Sequence, residues 1–386
     1  MSGAEAGLRR RKVIYLSGTR ADFGLMKSAL LHVARVADLS VAVTGMHLDA
    51  AFGHTVDEIR AAGLTVCGEI PVDVVTRTPR SMSAAIGDCL MGVTDLLQRE
   101  QPDILLLLGD RGEMLAGAIA ALHLGIVSVH VHGGERSGTV DEPVRHAISK
   151  LATYHFVATA ESKDRLLRMG ESESRIVVTG APGLDGLHEL VCGPRKTPDG
   201  LRATLGLPPQ MPFVLALFHP VVQQACDAYA QTVEILVALQ KAGLPVVWPE
   251  PNADAGSLDI LRAMGDVPLP QGSVRARHLP RDVFCAAMKH CAVMVGNSSS
   301  GIIEAASFGT PVVNVGDRQR LRERNDNVED TPADRELVHA AIAKALRHGK
   351  WPCDNRYGDG RAGERIAAQL ASLLLDRSVL EKTNTY

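Results

Sequence analysis

The feature that most constrains this chain is an alternation of short runs, apolar on both faces, with glycine- or polar-rich clusters and longer amphipathic stretches. Runs at 12–17, 40–44, 104–108, 126–131, 155–159 and 176–179 are β-branched or leucine-rich. A strand that is apolar on both faces must be covered on both, which is the situation of a parallel sheet between helices. The intervals fit those helices: residues 112–124 are rich in alanine and leucine and stop at Gly125. A second series follows at 213–218, 245–248, 293–295 and 312–315, and a last helix is expected over about 361–376. Between the two series, Gly193-Pro194, Pro198-Asp199-Gly200 and Pro208-Pro209 concentrate turn formers over 191–210, which reads as a connection. The expected class is α/β, with doubly wound domains at 1–192 and 205–360 facing across a cleft, and a C-terminal helix and tail at 361–386.

Length and composition agree with two domains, because 386 residues exceed one comfortable core. An apolar fraction of 46% with 22% charged residues excludes disordered and fibrous classes. A net charge of -3, with one dense basic run at Arg9-Arg10-Arg11-Lys12, offers no field for a polyanion, so nucleic acid is not expected as a partner. Nor does any apolar run reach membrane-spanning length or read as a signal core, and the expected location is cytoplasmic, away from the membrane. Seven scattered cysteines without a C-x-x-C pair fit buried thiols rather than disulfides or a zinc site, and no metal or cofactor is expected.

Open α/β sheets bind ligands at the carboxyl ends of their strands, and here the polar clusters follow the apolar runs. They include Ser17-Gly18-Thr19-Arg20, Gly109-Asp110-Arg111, His132-Gly133-Gly134-Glu135, His219-Pro220, Asn252-Ala253-Asp254 and Gly316-Asp317-Arg318. Gly296-Asn297-Ser298-Ser299-Ser300-Gly301 precedes a helix, so its amides and hydroxyls could hold a diphosphate; a serine-capped turn is the plain alternative. Glu304, one turn on, could accept two hydrogen bonds from ribose hydroxyls and favours the nucleotide reading. Asp110 and Asp141 each fit helix-start residues as well as reactive carboxylates. Glycines beside His132 and Glu135 allow a ligand to approach closely while both side chains supply titratable groups. His219 turns out of an apolar run, and Arg20 and Arg318 could balance phosphate charge.

In order, Ser17 to Gly24, Leu108-Gly109-Asp110-Arg111-Gly112-Glu113, His130 to Glu135, Asp141-Glu142 with Arg145-His146, Asn252-Ala253-Asp254, Gly296 to Gly301 and Gly316-Asp317-Arg318-Gln319 resemble the hydrolysing UDP-N-acetylglucosamine 2-epimerases. That family makes N-acetylmannosamine for sialic-acid-type sugars, and the resemblance covers about 12–320. It implies a GT-B-like pair of Rossmann-like domains, sugar chemistry in the first and nucleotide binding in the second, a homodimer, and a metal-free reaction. UDP leaves by anti elimination to give 2-acetamidoglucal, and water adds syn. Carried over, Asp110, Glu135 and Asp141 become proton-transfer carboxylates and His219 a partner of the leaving phosphate. Arg20, Arg111, His132, Ser299, Ser300, Gly301, Glu304 and Arg318 would hold the substrate. The chain departs from the family at Leu321-Arg322, where Gly-Arg is common. A GDP-linked or C4/C6-modified amino sugar, and a GT-B glycosyltransferase, are the alternative readings.

Overall fold

The apolar runs separate into two parallel sheets in a computed structural model that describes residues 9–76, 78–138, 141–251 and 254–385. The first contains β1 (Lys12–Ser17), β2 (Asp38–Thr44), β3 (Thr65–Ile70), β4 (Ile104–Leu108), β5 (Val127–Val131), β6 (Tyr154–Val157) and β7 (Ile176–Val178), in the order β3-β2-β1-β4-β5-β6-β7. The second contains β8 (Val214–Leu217), β9 (Val246–Pro249), β10 (Val274–Ala276), β11 (Val293–Gly296), β12 (Val312–Val315) and β13 (Val328–Thr331), in the order β10-β9-β8-β11-β12-β13. Inner strands such as β4, β5, β8 and β11 are buried along their whole length, as their two-sided apolar runs require.

Each sheet reverses its winding once, at β1/β4 and at β8/β11. Those are the switch points where a crevice opens beyond the strand ends. Gly18 and Gly109 follow one pair of strands; His219 and Asn297 lie just beyond the other. The β8–β11 approach depends on a missing side chain. Gly296 has φ +135 and pairs with Leu217, and a Cβ there would fall on the Leu217 carbonyl oxygen.

Three strands lie outside the runs read from the sequence. β3, β10 and β13 are each at a sheet edge and only partly buried, so their sequences mix in threonine, glutamate, arginine and aspartate. The stretch 191–210 includes a helix, Pro198–Leu205, and its Val191, Leu201 and Leu207 enter the core beneath the second sheet. The last helix, Ala362–Ser372, returns to the first half and packs on the helix Arg20–Val36. Asp185 caps it, accepting from the amides of Ala362 at 2.9 Å and Gly363 at 2.5 Å. Among the described residues no helix is long and apolar enough to cross a membrane.

Candidate active site

At the rim of the first sheet, Gly109 leaves β4 in a left-handed conformation, φ +77, and turns the chain so that Asp110 follows. Asp110 forms an ion pair with Arg145, one turn into the helix Asp141–Leu151. Beyond β5, His132 takes φ 64, uncommon for a residue with a side chain, and its amide donates to the Phe156 carbonyl at 3.0 Å. Gly134 follows at φ +74, where a Cβ would strike the Ser162 carbonyl. These two left-handed residues tuck Glu135 inward, leaving it 3% exposed.

Glu135 is the hub of the cluster. One carboxylate oxygen meets His132 Nδ1; the other meets Arg322, on the loop beyond β12, and lies 3.9 Å from Arg145. Burial alone would raise its pKa, but His132 and Arg322 outweigh that and hold the carboxyl at about 2. A buried carboxylate this low is fully ionised at neutral pH, and its desolvation is offset only because cations and hydrogen bonds surround it. Arg145 is 1% exposed, and among the described residues its Nε and Nη1 have no hydrogen-bond partner. The site thus retains buried donors beside two carboxylates.

At the rim of the second sheet the organiser is Asn297. Its side chain accepts from the His219 amide at 2.7 Å and donates to the His219 carbonyl at 2.8 Å, while its backbone carbonyl accepts from Arg318 at 3.2 Å and Gln319 at 3.1 Å. One asparagine therefore joins the loops after β8, β11 and β12. Burial, followed by the charge of Arg318, pushes His219 down to about 3, so its ring is neutral. Ser298 caps the helix Ser299–Ile303, accepting from the Ser300 amide at 3.3 Å. With only five residues, that helix offers individual amides and hydroxyls rather than a long dipole.

The two rims face each other. Arg322 reaches Glu135, and Thr159 donates to Glu323 at 2.6 Å. Burial lowers the pKa of Arg318, and the charges of Asp141 and Asp254 act against it. Arg111 is raised by Glu113 first and also by Asp254. Of the Asn252-Ala253-Asp254 motif, Asn252 and Ala253 lie outside the described residues.

The structure thus gathers Asp110, His132 and Glu135 in one cluster, and His219 with Arg318 in another. Asp141 and Arg111 lie within electrostatic reach between them. Arg20 stands apart in an ion pair with Glu58 at 2.6 Å. Glu304, expected at ribose, is 1% exposed and engaged by Arg281, which also donates to the Gly183 carbonyl at 3.1 Å. Gly301 is buried, and a Cβ there would lie 3.0 Å from Val312, so its smallness serves packing on β12. Arg322, Arg281 and the bridging role of Asn297 were not foreseen. Arg322 and Glu135 are 187 positions apart, and no local pattern announces such a pair.

Residues 31–371 match the UDP-N-acetylglucosamine 2-epimerase family. The chain is 48% identical over 379 residues to the UDP-N,N'-diacetylbacillosamine 2-epimerase (hydrolyzing) of Legionella pneumophila, covering 97% of this chain and 100% of that protein. It is 31% identical to a UDP-N-acetylglucosamine 2-epimerase of Neisseria meningitidis, covering 91% of each. In fold it resembles the crystal structure of UDP-GlcNAc 2-epimerase from Neisseria meningitidis bound to UDP-GlcNAc, with a TM-score of 0.78 at 19% identity over 93% of this chain and 99% of that one. On the strength of the family match and the full-length relatives, the chain belongs to the UDP-N-acetylglucosamine 2-epimerase family.

Proposed function

We propose that this protein is a hydrolysing 2-epimerase that releases UDP and a free 2-epimeric amino sugar from a UDP-linked 2-acetamido sugar. The observation that carries the reaction type is the meeting of Asp110, Glu135, Arg145 and Arg322 at one sheet's rim, opposite the Asn297-centred loops of the other. Carbon 2 of such a sugar is not acidified by a carbonyl, so losing its proton must be coupled to departure of a stabilised diphosphate. The first half supplies proton-transfer groups; the second supplies cationic and hydrogen-bonding contacts for the nucleotide. In the elimination, the C2–H and C1–O bonds break, a C1–C2 double bond forms, and the bridging oxygen leaves on phosphorus. Water then adds its oxygen at C1 while a proton returns to C2 from the opposite face.

Two faces of C2 call for two groups. Asp110 and Asp141 are our assignment for proton transfer, because Glu135 at about 2 is a weak base while Arg322 and His132 hold it. Sugar binding that draws Arg322 away would restore basicity to Glu135. The neutral His219 can hydrogen-bond the leaving diphosphate, and Arg318 supplies positive charge. Arg111, Ser299 and Ser300 complete the polar lining.

For the sugar, the 48% identity to the Legionella protein favours UDP-N,N'-diacetylbacillosamine over UDP-N-acetylglucosamine. The test is a comparison of these two substrates and their GDP-linked forms, following nucleoside diphosphate and free sugar. Highest kcat/KM on the 4-acetamido UDP sugar is expected. A clear preference for UDP-N-acetylglucosamine would reverse the assignment, and transfer to an acceptor without epimerisation would reject the reaction.

A further inference from the structure

His130 lies on β5 two residues before His132, is completely buried, and has no part in the proton chemistry above. Its ring joins three site-bearing segments. Nε2 is 2.7 Å from the Gly109 carbonyl, immediately before Asp110, and Nδ1 is 3.0 Å from the Ser149 hydroxyl on the helix that carries Asp141 and Arg145. The Gly109 amide also donates to the Val131 carbonyl at 2.9 Å, so both backbone groups of this left-handed turn are tied to β5. A Cβ on Gly133 would lie 3.0 Å from both His130 Nδ1 and Ser149 Oγ, so the glycine loop leading to Glu135 rests on this contact. The far end of the same helix is also held, because Lys382 donates to the Ser149, Lys150 and Ala152 carbonyls at 2.8, 2.9 and 2.8 Å.

We infer that His130 is a positioning residue for the epimerase site: its ring, fixed as one tautomer, sets Asp110, the glycine loop and the Asp141–Leu151 helix at their working spacing. A carbonyl can only accept, so Nε2 carries the proton, and in a neutral ring Nδ1 then accepts from the Ser149 hydroxyl. Burial is the main cause holding the ring neutral, with a pKa near 3 despite the Gly109 bond, which works the other way. A neutral ring has one donor and one acceptor, and this arrangement uses both. It rests on the proposed function only in taking Asp110 as a reacting group.

The inference is tested by two measurements. Histidine-selective 15N NMR, with the His130 signals identified by their loss in His130→Gln, should show a neutral Nε2–H ring unchanged from pH 5 to 9. A titrating ring or an Nδ1–H tautomer there would overturn the inference, whatever reaction the protein performs. In the kinetic arm, His130→Phe removes both anchors and should lower kcat about 100-fold, the scale of an ångström-sized misplacement. The UDP dissociation constant should stay within about 3-fold, because the nucleotide loops lie in the other half. His130→Gln keeps a donor for Gly109 and should recover part of the loss. Ser149→Ala leaves the ring in place and removes its second anchor; its kcat should fall roughly 3- to 10-fold by the same reasoning, which remains readable if the phenylalanine variant does not fold. Wild-type kcat in either folded variant, or a fall in melting temperature alone, would refute a positioning role.

Discussion

Substituting Glu135 by glutamine keeps its shape and removes the charge that holds His132, Arg145 and Arg322 together. Glu135 falls from the ordinary 4.5 to about 2 on folding. Each tenfold change in proton affinity is worth about 1.4 kcal/mol, so the ionised carboxylate contributes about 3 kcal/mol of stability at neutral pH. Because the folded pKa is the lower one, that contribution is complete above about pH 4.5 and is lost as the pH falls toward 2. Glu135→Gln should therefore be less stable than the parent by about 3 kcal/mol at pH 7, lowering the melting midpoint of a domain this size by roughly 6–12 °C. Calorimetry at pH 7, 5 and 3.5 reads it: the gap should match at the first two values and narrow at the third. Equal stability at pH 7, or a gap constant down to pH 3.5, would refute the argument that cations hold this carboxylate ionised.

Other consequences follow from the opposite rim. Asn297→Ala removes the side-chain contacts to both backbone groups of His219, and should raise KM for the nucleotide sugar by at least about 10-fold through loosened positioning, measured by steady-state kinetics. Glu304→Ala should weaken UDP binding in titration calorimetry and, by freeing Arg281 in a buried setting, lower stability by a few kcal/mol, about 3 by analogy with other broken buried pairs. Unchanged UDP affinity would remove Glu304 from the nucleotide site.

Which parts of this molecule could be read from the chain follows from where burial is two-sided. β1, β4, β5, β8 and β11 announce themselves because both faces and both edges are covered, so their runs are mainly apolar, and polar residues within them, such as Ser128 and His130 of β5, are buried with hydrogen-bond partners. β3, β10 and β13 do not, since an edge strand such as Val328–Thr331 can carry Glu329 and Asp330 at no cost. The same logic divides the site. Asp110, His132, Glu135 and His219 were visible because glycines and strand ends mark them locally. Arg322 stood in the sequence only beside Leu321, the residue that departs from the family's Gly-Arg, and its pairing with Glu135 exists only once the two halves meet. Glu304 was found at its expected strand-to-helix junction but not its occupation by Arg281, which comes from a different helix.

The central claim is that the bond changes pass through carbon 2. The most direct measurement is to run the reaction on a UDP-linked 2-acetamido sugar in D2O and examine the released sugar by proton NMR and mass spectrometry. Elimination followed by hydration removes the original C2 hydrogen and replaces it from solvent, so the free 2-epimer should carry one deuterium at C2, with UDP as the other product. Release of a sugar that keeps its C2 protium and its original configuration would contradict the account and leave simple hydrolysis or transfer in its place.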